Sequence, residues 1–151
     1  MSRGAPQTSP SLPHLLVVED EPVIASLLAD VLGASGYRVT QRHRVDDALA
    51  AARENPDLAL CISDFLLPDR TGLDFARELH ALRPGLKIVL ASAFLEPEIE
   101  AAVEREPAIA MIVRKPLDIF ELKERVDALT ARARAPRPPV QEGDAAAEAP
   151  C

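Results

Sequence analysis

Short, uninterrupted apolar runs alternate along this chain with segments in which apolar residues recur every three or four positions. Residues 15–18, 58–63 and 86–91 are the clearest of these runs. A strand that is apolar at every position is buried on both faces, which is typical of a parallel sheet covered by helices on each side. The sequence therefore predicts an α/β fold built around such a sheet.

Five strands alternate with five helices in this pattern. Pro22 suits the first turn of a helix and Gly36 suits the end of one. Because crossovers between parallel strands are right-handed, the alternation predicts a doubly wound, five-stranded parallel sheet. The strands are predicted at residues 15–18, 38–43, 58–63, 86–91 and 110–113, and the helices at 22–34, 45–54, 72–82, 96–105 and 118–132.

Proline marks the ends of the folded region. Of the 14 prolines, half lie in the first 13 and the last 16 residues, among Ser, Gly, Ala and Gln. Such composition cannot bury enough apolar surface to fold. We predict a disordered arm at residues 1–13, one folded domain at 14–131, and a disordered Pro/Ala-rich tail at 132–151.

Composition excludes several classes of function. The net charge of −7 disfavours binding to nucleic acid, and 3% aromatic residues with no Trp leave few rings for stacking on bases. Cys61 and Cys151 lack the spacing of a zinc site or a disulfide framework. No signal sequence or span of ~20 apolar residues is present, so we expect a cytoplasmic protein without a membrane partner. His14, His43 and His80 are predicted to be surface residues without a catalytic role.

Polar groups follow four of the five predicted strands, at the edge where ligands bind in such sheets. Glu19 and Asp20 follow the first strand, Asp64 the third, Ser92 the fourth and Lys115 the fifth. Carboxylates at close quarters cannot all stay ionised without a counter-charge, and Mg²⁺ with oxygen ligands would supply one. The pattern predicts a site at which a carboxylate receives a phosphoryl group.

Four short motifs resemble the receiver domain of two-component response regulators. Each lies at a strand end, they occur in the family's order, and the resemblance covers roughly residues 14–131. It implies a flavodoxin-like (βα)5 fold with strand order 2-1-3-4-5. The motifs are VVEDEP at 17–22, SDFLLPDRTG at 63–72, LASA at 90–93 and VRKP at 113–116.

The resemblance implies a role for each strand-end residue. Asp64 matches the phosphoacceptor, Ser92 the switch hydroxyl and Lys115 the lysine of the family, followed by Pro116 through a cis peptide bond. Pro68 and Gly72 are expected to shape the loop after Asp64. The implied Mg²⁺ ligands are Glu19, Asp20, Asp64 and the backbone carbonyl of Leu66.

The function implied is that of a phosphoacceptor rather than a turnover enzyme. The donor would be a phosphohistidine on a histidine kinase or histidine phosphotransfer protein, and phosphorylation would switch binding to a downstream protein target. The twenty residues beyond residue 131 are too few for a DNA-binding winged helix. We therefore expect a stand-alone receiver domain without an output domain.

Three alternatives share parts of this pattern. A haloacid-dehalogenase-type phosphatase needs a second Asp two residues after its nucleophile, where this chain has Leu66. A flavodoxin would bind phosphate after the first strand, where Glu19 and Asp20 would repel it. A receiver fold that docks partners without phosphorylation is the remaining alternative, and the complete set of strand-end residues argues against it.

One position departs from the family. Receivers usually carry Tyr or Phe three residues before the lysine, and this chain has Ile112. A β-branched side chain has few rotamers and no hydroxyl, so it cannot swing a ring between surface and interior. We expect Ile112 to fill core space, and Phe94 to take part of the role of the missing ring.

Overall fold

Five strands and five helices alternate through residues 13–93 and 95–134, the part of the chain that this computed structural model describes. The boundaries agree with the predicted ones to within two residues. The strands are β1 His14–Val18, β2 Arg38–Arg42, β3 Leu58–Asp64, β4 Lys87–Ser92 and β5 Ile109–Arg114. The helices are α1 Pro22–Ala34, α2 Val45–Glu54, α3 Gly72–Leu82, α4 Pro97–Glu104 and α5 Ile119–Arg134.

The strands form one parallel sheet in the order β2-β1-β3-β4-β5. This confirms the predicted doubly wound topology. The direction of winding reverses between β1 and β3, so the loops that follow these two neighbouring strands diverge to opposite faces. Ligands of doubly wound sheets bind at this reversal, outside the carboxyl ends of the strands.

One face of the sheet packs against α1 and α5, and the other packs against α2, α3 and α4. Leu15 and Val17 of β1 are buried in a cluster with residues of α1 and α5, whereas Leu16 and Val18 join a cluster with residues of α2 and α3. All four side chains are at most 1% exposed. The apolar runs of the sequence therefore reflect strands covered on both faces, as predicted.

Gly72 brings the start of α3 against the end of β3. A Cβ atom at this position would lie 2.6 Å from Leu90 Cδ1, 2.7 Å from the Asp64 carbonyl oxygen and 2.8 Å from Phe65 Cα. No larger residue fits without displacing backbone. This close approach shapes the loop between β3 and α3, as the resemblance implied.

His14 corrects a prediction: it is not a surface residue but only 5% exposed. Its ring Nε2 lies 2.7 Å from Thr40 Oγ1, and its Nδ1 lies 3.2 Å from each carboxylate oxygen of Asp57. The reason is topological, because His14 begins the strand that β2 and β3 flank on both sides. His43, in contrast, is exposed, and His80 is half-buried.

The last helix runs two residues beyond its predicted end, to Arg134. Residues 1–12 and 135–151 lie outside the described residues, so the predictions for the arm and the tail stay predictions. As far as the described residues go, the chain has no helix with the length and apolarity that a bilayer crossing requires.

Candidate functional site

The carboxyl ends of four strands bring the predicted site residues into one patch. Glu19 and Asp20 follow β1, Asp64 is the last residue of β3, Ser92 is the last residue of β4, and Lys115 follows β5. The Lys115 Nζ atom lies 3.0 Å from Asp64 Oδ1 and 3.5 Å from Glu19 Oε1. Residues that are up to 96 positions apart in the sequence thus share one site.

Three carboxylates crowd this patch. Glu19, Asp20 and Asp64 each place an oxygen within 4.8 Å of the other two. Glu19 is 3% exposed and Asp64 8%, while Asp20 is exposed. Burial, followed by the nearby charge of Asp64, raises the pKa of Glu19. The cluster is therefore held close at a cost in electrostatic free energy, which a bound cation would offset.

Lys115 places a positive charge next to this cluster. Its partial burial alone would lower its pKa, but the hydrogen bond to Asp64 and the charges of Asp64 and Glu19 raise it. The Lys115 backbone N–H donates to the Ser92 carbonyl at 2.8 Å, and the Lys115–Pro116 peptide bond is cis, as the resemblance implied. The ammonium group is thus held against the carboxylates.

Ser92 contributes a hydroxyl group that has no hydrogen-bond partner among the described residues. Its Oγ atom is buried and makes no hydrogen bond within residues 13–93 and 95–134. Buried polar groups are nearly always hydrogen-bonded, and an unmade bond costs about 1–3 kcal/mol. Ser92, Asp64 and Lys115 line a cavity of about 320 Å³ whose wall includes the apolar residues Leu95 and Ile99. The cavity can hold a small group with oxygens facing Ser92 and Lys115.

The oxygen donors of this site suit a hard divalent cation. Mg²⁺ prefers one or two carboxylates and keeps open positions for waters and phosphate oxygens. Glu19, Asp20 and Asp64 provide carboxylate oxygens at the required proximity. Leu66 lies two residues after Asp64 in the β3–α3 loop, with its side chain 71% exposed. Its carbonyl as a metal ligand stays a prediction.

The sequence also singled out Ile112 and Phe94 near the site. Ile112 is half-buried and packs on an apolar cluster that includes Leu90, Leu95 and Val103, in agreement with its predicted role in the core. Phe94, predicted to replace the missing ring, lies outside the described residues.

Sequence reasoning missed two residues that hold the loops of the site. His43 Nδ1 lies 2.8 Å from the backbone carbonyl oxygen of Glu19, and Asp69 accepts hydrogen bonds from the first amides of α2. One signal existed for Asp69. Arg44 stands at the N-cap of α2, where a side chain that accepts hydrogen bonds is usual, so the acceptor had to come from elsewhere.

Comparison with known proteins identifies the family. The family model for the response regulator receiver domain matches residues 15–127. The probable transcriptional regulatory protein TcrX of Mycobacterium tuberculosis is 34% identical over 123 residues, which are 78% of this chain and 50% of TcrX. The response regulator receiver protein CpdR of Brucella abortus is 26% identical over 124 residues, covering 80% of this chain and 98% of CpdR. The chain thus spans about half the length of TcrX and nearly all of CpdR.

Solved structures share the fold. The response regulator TrrA of Thermotoga maritima, crystallised in complex with Mg(2+)-BeF, aligns with a TM-score of 0.68 at 30% identity over 78% of this chain and 99% of TrrA. The chemotaxis response regulator CheY4 of Vibrio cholerae aligns with a TM-score of 0.71 at 21% identity over 79% of this chain and 99% of CheY4. The match to the family model and the topology agree, and the chain belongs to the response regulator receiver domain family of two-component systems.

Proposed function

We propose that this receiver domain accepts a phosphoryl group on Asp64 in an Mg²⁺-dependent reaction and thereby switches binding to a protein partner. One observation carries the proposal. The Asp64 carboxylate, the Lys115 ammonium and the unpartnered Ser92 hydroxyl, taken among the described residues, line the same cavity. The donor would be a phosphohistidine on a histidine kinase or histidine phosphotransfer protein.

Asp64 would act as the nucleophile. One of its carboxylate oxygens attacks the phosphorus of the phosphohistidine, so that an O–P bond forms and the N–P bond breaks. The imidazole nitrogen leaves with the bonding electron pair and takes up a proton from solvent. The product is a mixed anhydride on Asp64, and each phosphorylation modifies the protein itself rather than turning over a substrate.

Lys115 and Ser92 would hold the oxygens of the transferred group. Charge spreads over these oxygens during phosphoryl transfer, and an ammonium group 3.0 Å from Asp64 Oδ1 is placed to neutralise part of it. The Ser92 hydroxyl would donate a hydrogen bond to another oxygen. Mg²⁺, held by Glu19, Asp20, Asp64 and the Leu66 carbonyl, would supply further positive charge when bound.

The same hydrogen bond offers a route from the site to the surface. A new partner for the buried Ser92 Oγ would draw the end of β4 toward Asp64. The Ser92 carbonyl accepts a hydrogen bond from the Lys115 N–H, so the end of β5 would move with it. The face beside β5 would then change shape for a protein target. We propose that the receiver acts as a switch of this kind.

The direct test supplies a small phosphodonor in place of the kinase. The protein is incubated with acetyl phosphate, with MgCl₂ or with EDTA, and its intact mass is measured. One added phosphoryl group is expected with Mg²⁺ and none with EDTA. Reductive trapping followed by peptide mass spectrometry should place the modification on Asp64. No modification with Mg²⁺ would overturn the proposal and favour a docking module that works without phosphorylation.

A further inference from the structure

The two loops that carry the predicted Mg²⁺ ligands are attached to the same short segment of the chain. Glu19 and Asp20 lie in the loop after β1, and Leu66 lies in the loop after β3. Residues 42–46, which lead from β2 into α2, hydrogen-bond to both loops. This segment spans the reversal of winding, where the two loops diverge.

His43 and its neighbour hold the first loop through its backbone. A carbonyl oxygen only accepts, so the His43 Nδ1–H group donates to the Glu19 oxygen at 2.8 Å. The Glu19 N–H in turn donates to the Arg42 carbonyl at 3.1 Å. Both backbone polar groups of Glu19 are therefore held by the chain that leads into α2.

Asp69 holds the second loop against the same segment. Its Oδ1 accepts from the Val45 N–H at 3.2 Å and its Oδ2 from the Asp46 N–H at 3.4 Å, while the Arg44 guanidinium lies 3.8 Å away. The Asp69 side chain is 13% exposed. Burial would raise its pKa, but these amide hydrogen bonds and the Arg44 charge lower it below the usual range. Asp69 therefore accepts these hydrogen bonds as an ionised carboxylate.

The β3–α3 loop is closed on itself, so a contact at Asp69 constrains its other residues. The Gly72 N–H donates to the Phe65 carbonyl at 2.5 Å, and Leu66 pairs with Thr71 in a short antiparallel bridge. Arg70 adds a second attachment, because its Nη2 lies 2.7 Å from Asp46 Oδ1. A shift of Asp69 would therefore be passed to Leu66.

We propose that His43 and Asp69 are positioning residues that set the spacing between the two metal-holding loops and so determine the affinity for Mg²⁺. The inference rests on the proposed function, since it concerns the ion that this function requires. His43 hydrogen-bonds to the backbone carbonyl of Glu19 and not to its carboxylate, and Asp69 contacts the start of α2 rather than the carboxylate cluster. Both would act through the loops that they hold.

A purely structural role would have a different consequence. If the Asp69 cap only stabilised α2, its removal would lower the free energy of unfolding and leave the Mg²⁺ affinity of the folded protein unchanged. Groups that orient metal ligands typically change metal affinity about 10- to 100-fold when they are removed. Mg²⁺ affinity of the folded domain is therefore the measurement that separates the two roles.

The experiment titrates MgCl₂ into the unphosphorylated protein and follows backbone amide NMR shifts, at a temperature where every variant is folded. Asp69→Ala and His43→Ala should each raise the Kd for Mg²⁺ about tenfold. Asp69→Asn keeps one of the two acceptor oxygens for the α2 amides and His43→Gln keeps a donor for Glu19, so each should raise the Kd less than the alanine variant at the same position does.

Asp57→Ala is the matched control. Asp57 is also a hydrogen-bonded carboxylate, but it lies at the opposite end of the sheet, and its loss should leave the Kd unchanged. An unchanged Kd in either Asp69→Ala or His43→Ala would overturn the inference, and if Asp69→Ala fails to fold, His43→Ala decides alone. Absence of Mg²⁺ binding by the unaltered protein would overturn the proposed function itself.

Discussion

The two ends of the parallel sheet differ in how far their polar side chains are paired with partners of the chain itself. At the amino ends of the strands, the buried His14 ring is bonded to Thr40 and Asp57, and Asp57 is bonded in turn to Arg38. The hydrogen bond from His14 and that from Arg38 lower the pKa of Asp57. Opposite charges meet there, and hydrogen-bond donors are matched to acceptors.

Arg83 extends the same pattern at the amino end of β3. Its guanidinium donates to four backbone carbonyl oxygens, at distances of 2.8–3.1 Å. They close the connection between α2 and β3. The acceptors belong to Ala52, Asn55, Pro56 and Leu58.

At the carboxyl ends of the strands, in contrast, like charges lie close together and a buried hydroxyl group is left unpaired among the described residues. Glu19, Asp20 and Asp64 crowd together, and the Lys115 ammonium pairs with Glu19 and Asp64. Ser92 Oγ has no partner among the residues that the structure describes. Unmade hydrogen bonds and crowded like charges lower stability, and proteins keep them where a ligand is to be bound. The amino end thus serves the fold, whereas the carboxyl end gathers the residues that we propose would hold a cation and a phosphoryl group.

The largest effect is expected when one aspartate at each end of the sheet is replaced by asparagine. Asp64→Asn should abolish the Mg²⁺-dependent gain of a phosphoryl group from acetyl phosphate, because the nucleophilic oxygen is lost. Asp57→Asn should leave it intact. Intact-mass measurement of both variants checks this. A phosphoryl group that persists in Asp64→Asn would place the acceptor elsewhere.

The next comparison replaces one lysine at each end of the sheet by alanine and measures the phosphorylation rate. Lys115→Ala should keep the fold and slow phosphorylation about 100-fold, since a charge aimed at the transferring oxygens is removed. Lys87, at the amino end of β4, is the control, and Lys87→Ala should retain the normal rate. Initial rates with acetyl phosphate and circular dichroism spectra are measured for both. Equal rates in the two variants would contradict the role given to Lys115.

His14→Ala tests the amino end alone. It should lower the free energy of unfolding by about 2 kcal/mol, because Thr40 and Asp57 lose a partner and a buried ring is removed. The phosphorylation rate should not change at a temperature where the variant is folded. Urea denaturation gives the first quantity and intact mass the second. A slower reaction in the folded variant would mean that the two ends are coupled.

Asp20→Asn should stabilise the folded protein, in contrast to His14→Ala. Without Mg²⁺ it removes one of three crowded negative charges, so the melting temperature should rise by about 2 °C. In saturating MgCl₂ that advantage should disappear, because the ion stabilises the unaltered protein by binding its folded state. Thermal melts in EDTA and in MgCl₂ measure both. A lower melting temperature of the variant in EDTA would show that repulsion among the three carboxylates does not destabilise the fold.

The smallest effect is expected at Ile112, which lies near the carboxyl end but outside the charged patch. Ile112→Val keeps a β-branched apolar side chain and removes one methylene, at a cost of about 0.5–1.5 kcal/mol in a fully buried site and less here. The phosphorylation rate and partner binding should barely change. A large change in either would show that this half-buried residue takes part in switching.

The strands, helices and strand-end residues of this receiver could be predicted from periodicity because burial on both faces leaves continuous apolar runs. The meeting of Asp64, Ser92 and Lys115 at one edge then follows from parallel topology, which brings the carboxyl ends of all strands together, whereas the strand order was implied by the resemblance to the family. Local pattern and chain connectivity suffice for that much. The motifs of the family assigned each of these residues its expected role.

Hydrogen-bond partners are a different matter, and only the packed chain decided them. The burial of His14 depends on the two strands that flank it, and the pairing of Asp69 with Val45 joins residues 24 positions apart. The unpartnered Ser92 hydroxyl likewise depends on what surrounds it within the described residues. A hydrogen bond requires two atoms to lie within about 3 Å at a favourable angle, and hydrophobic periodicity carries no information at that scale.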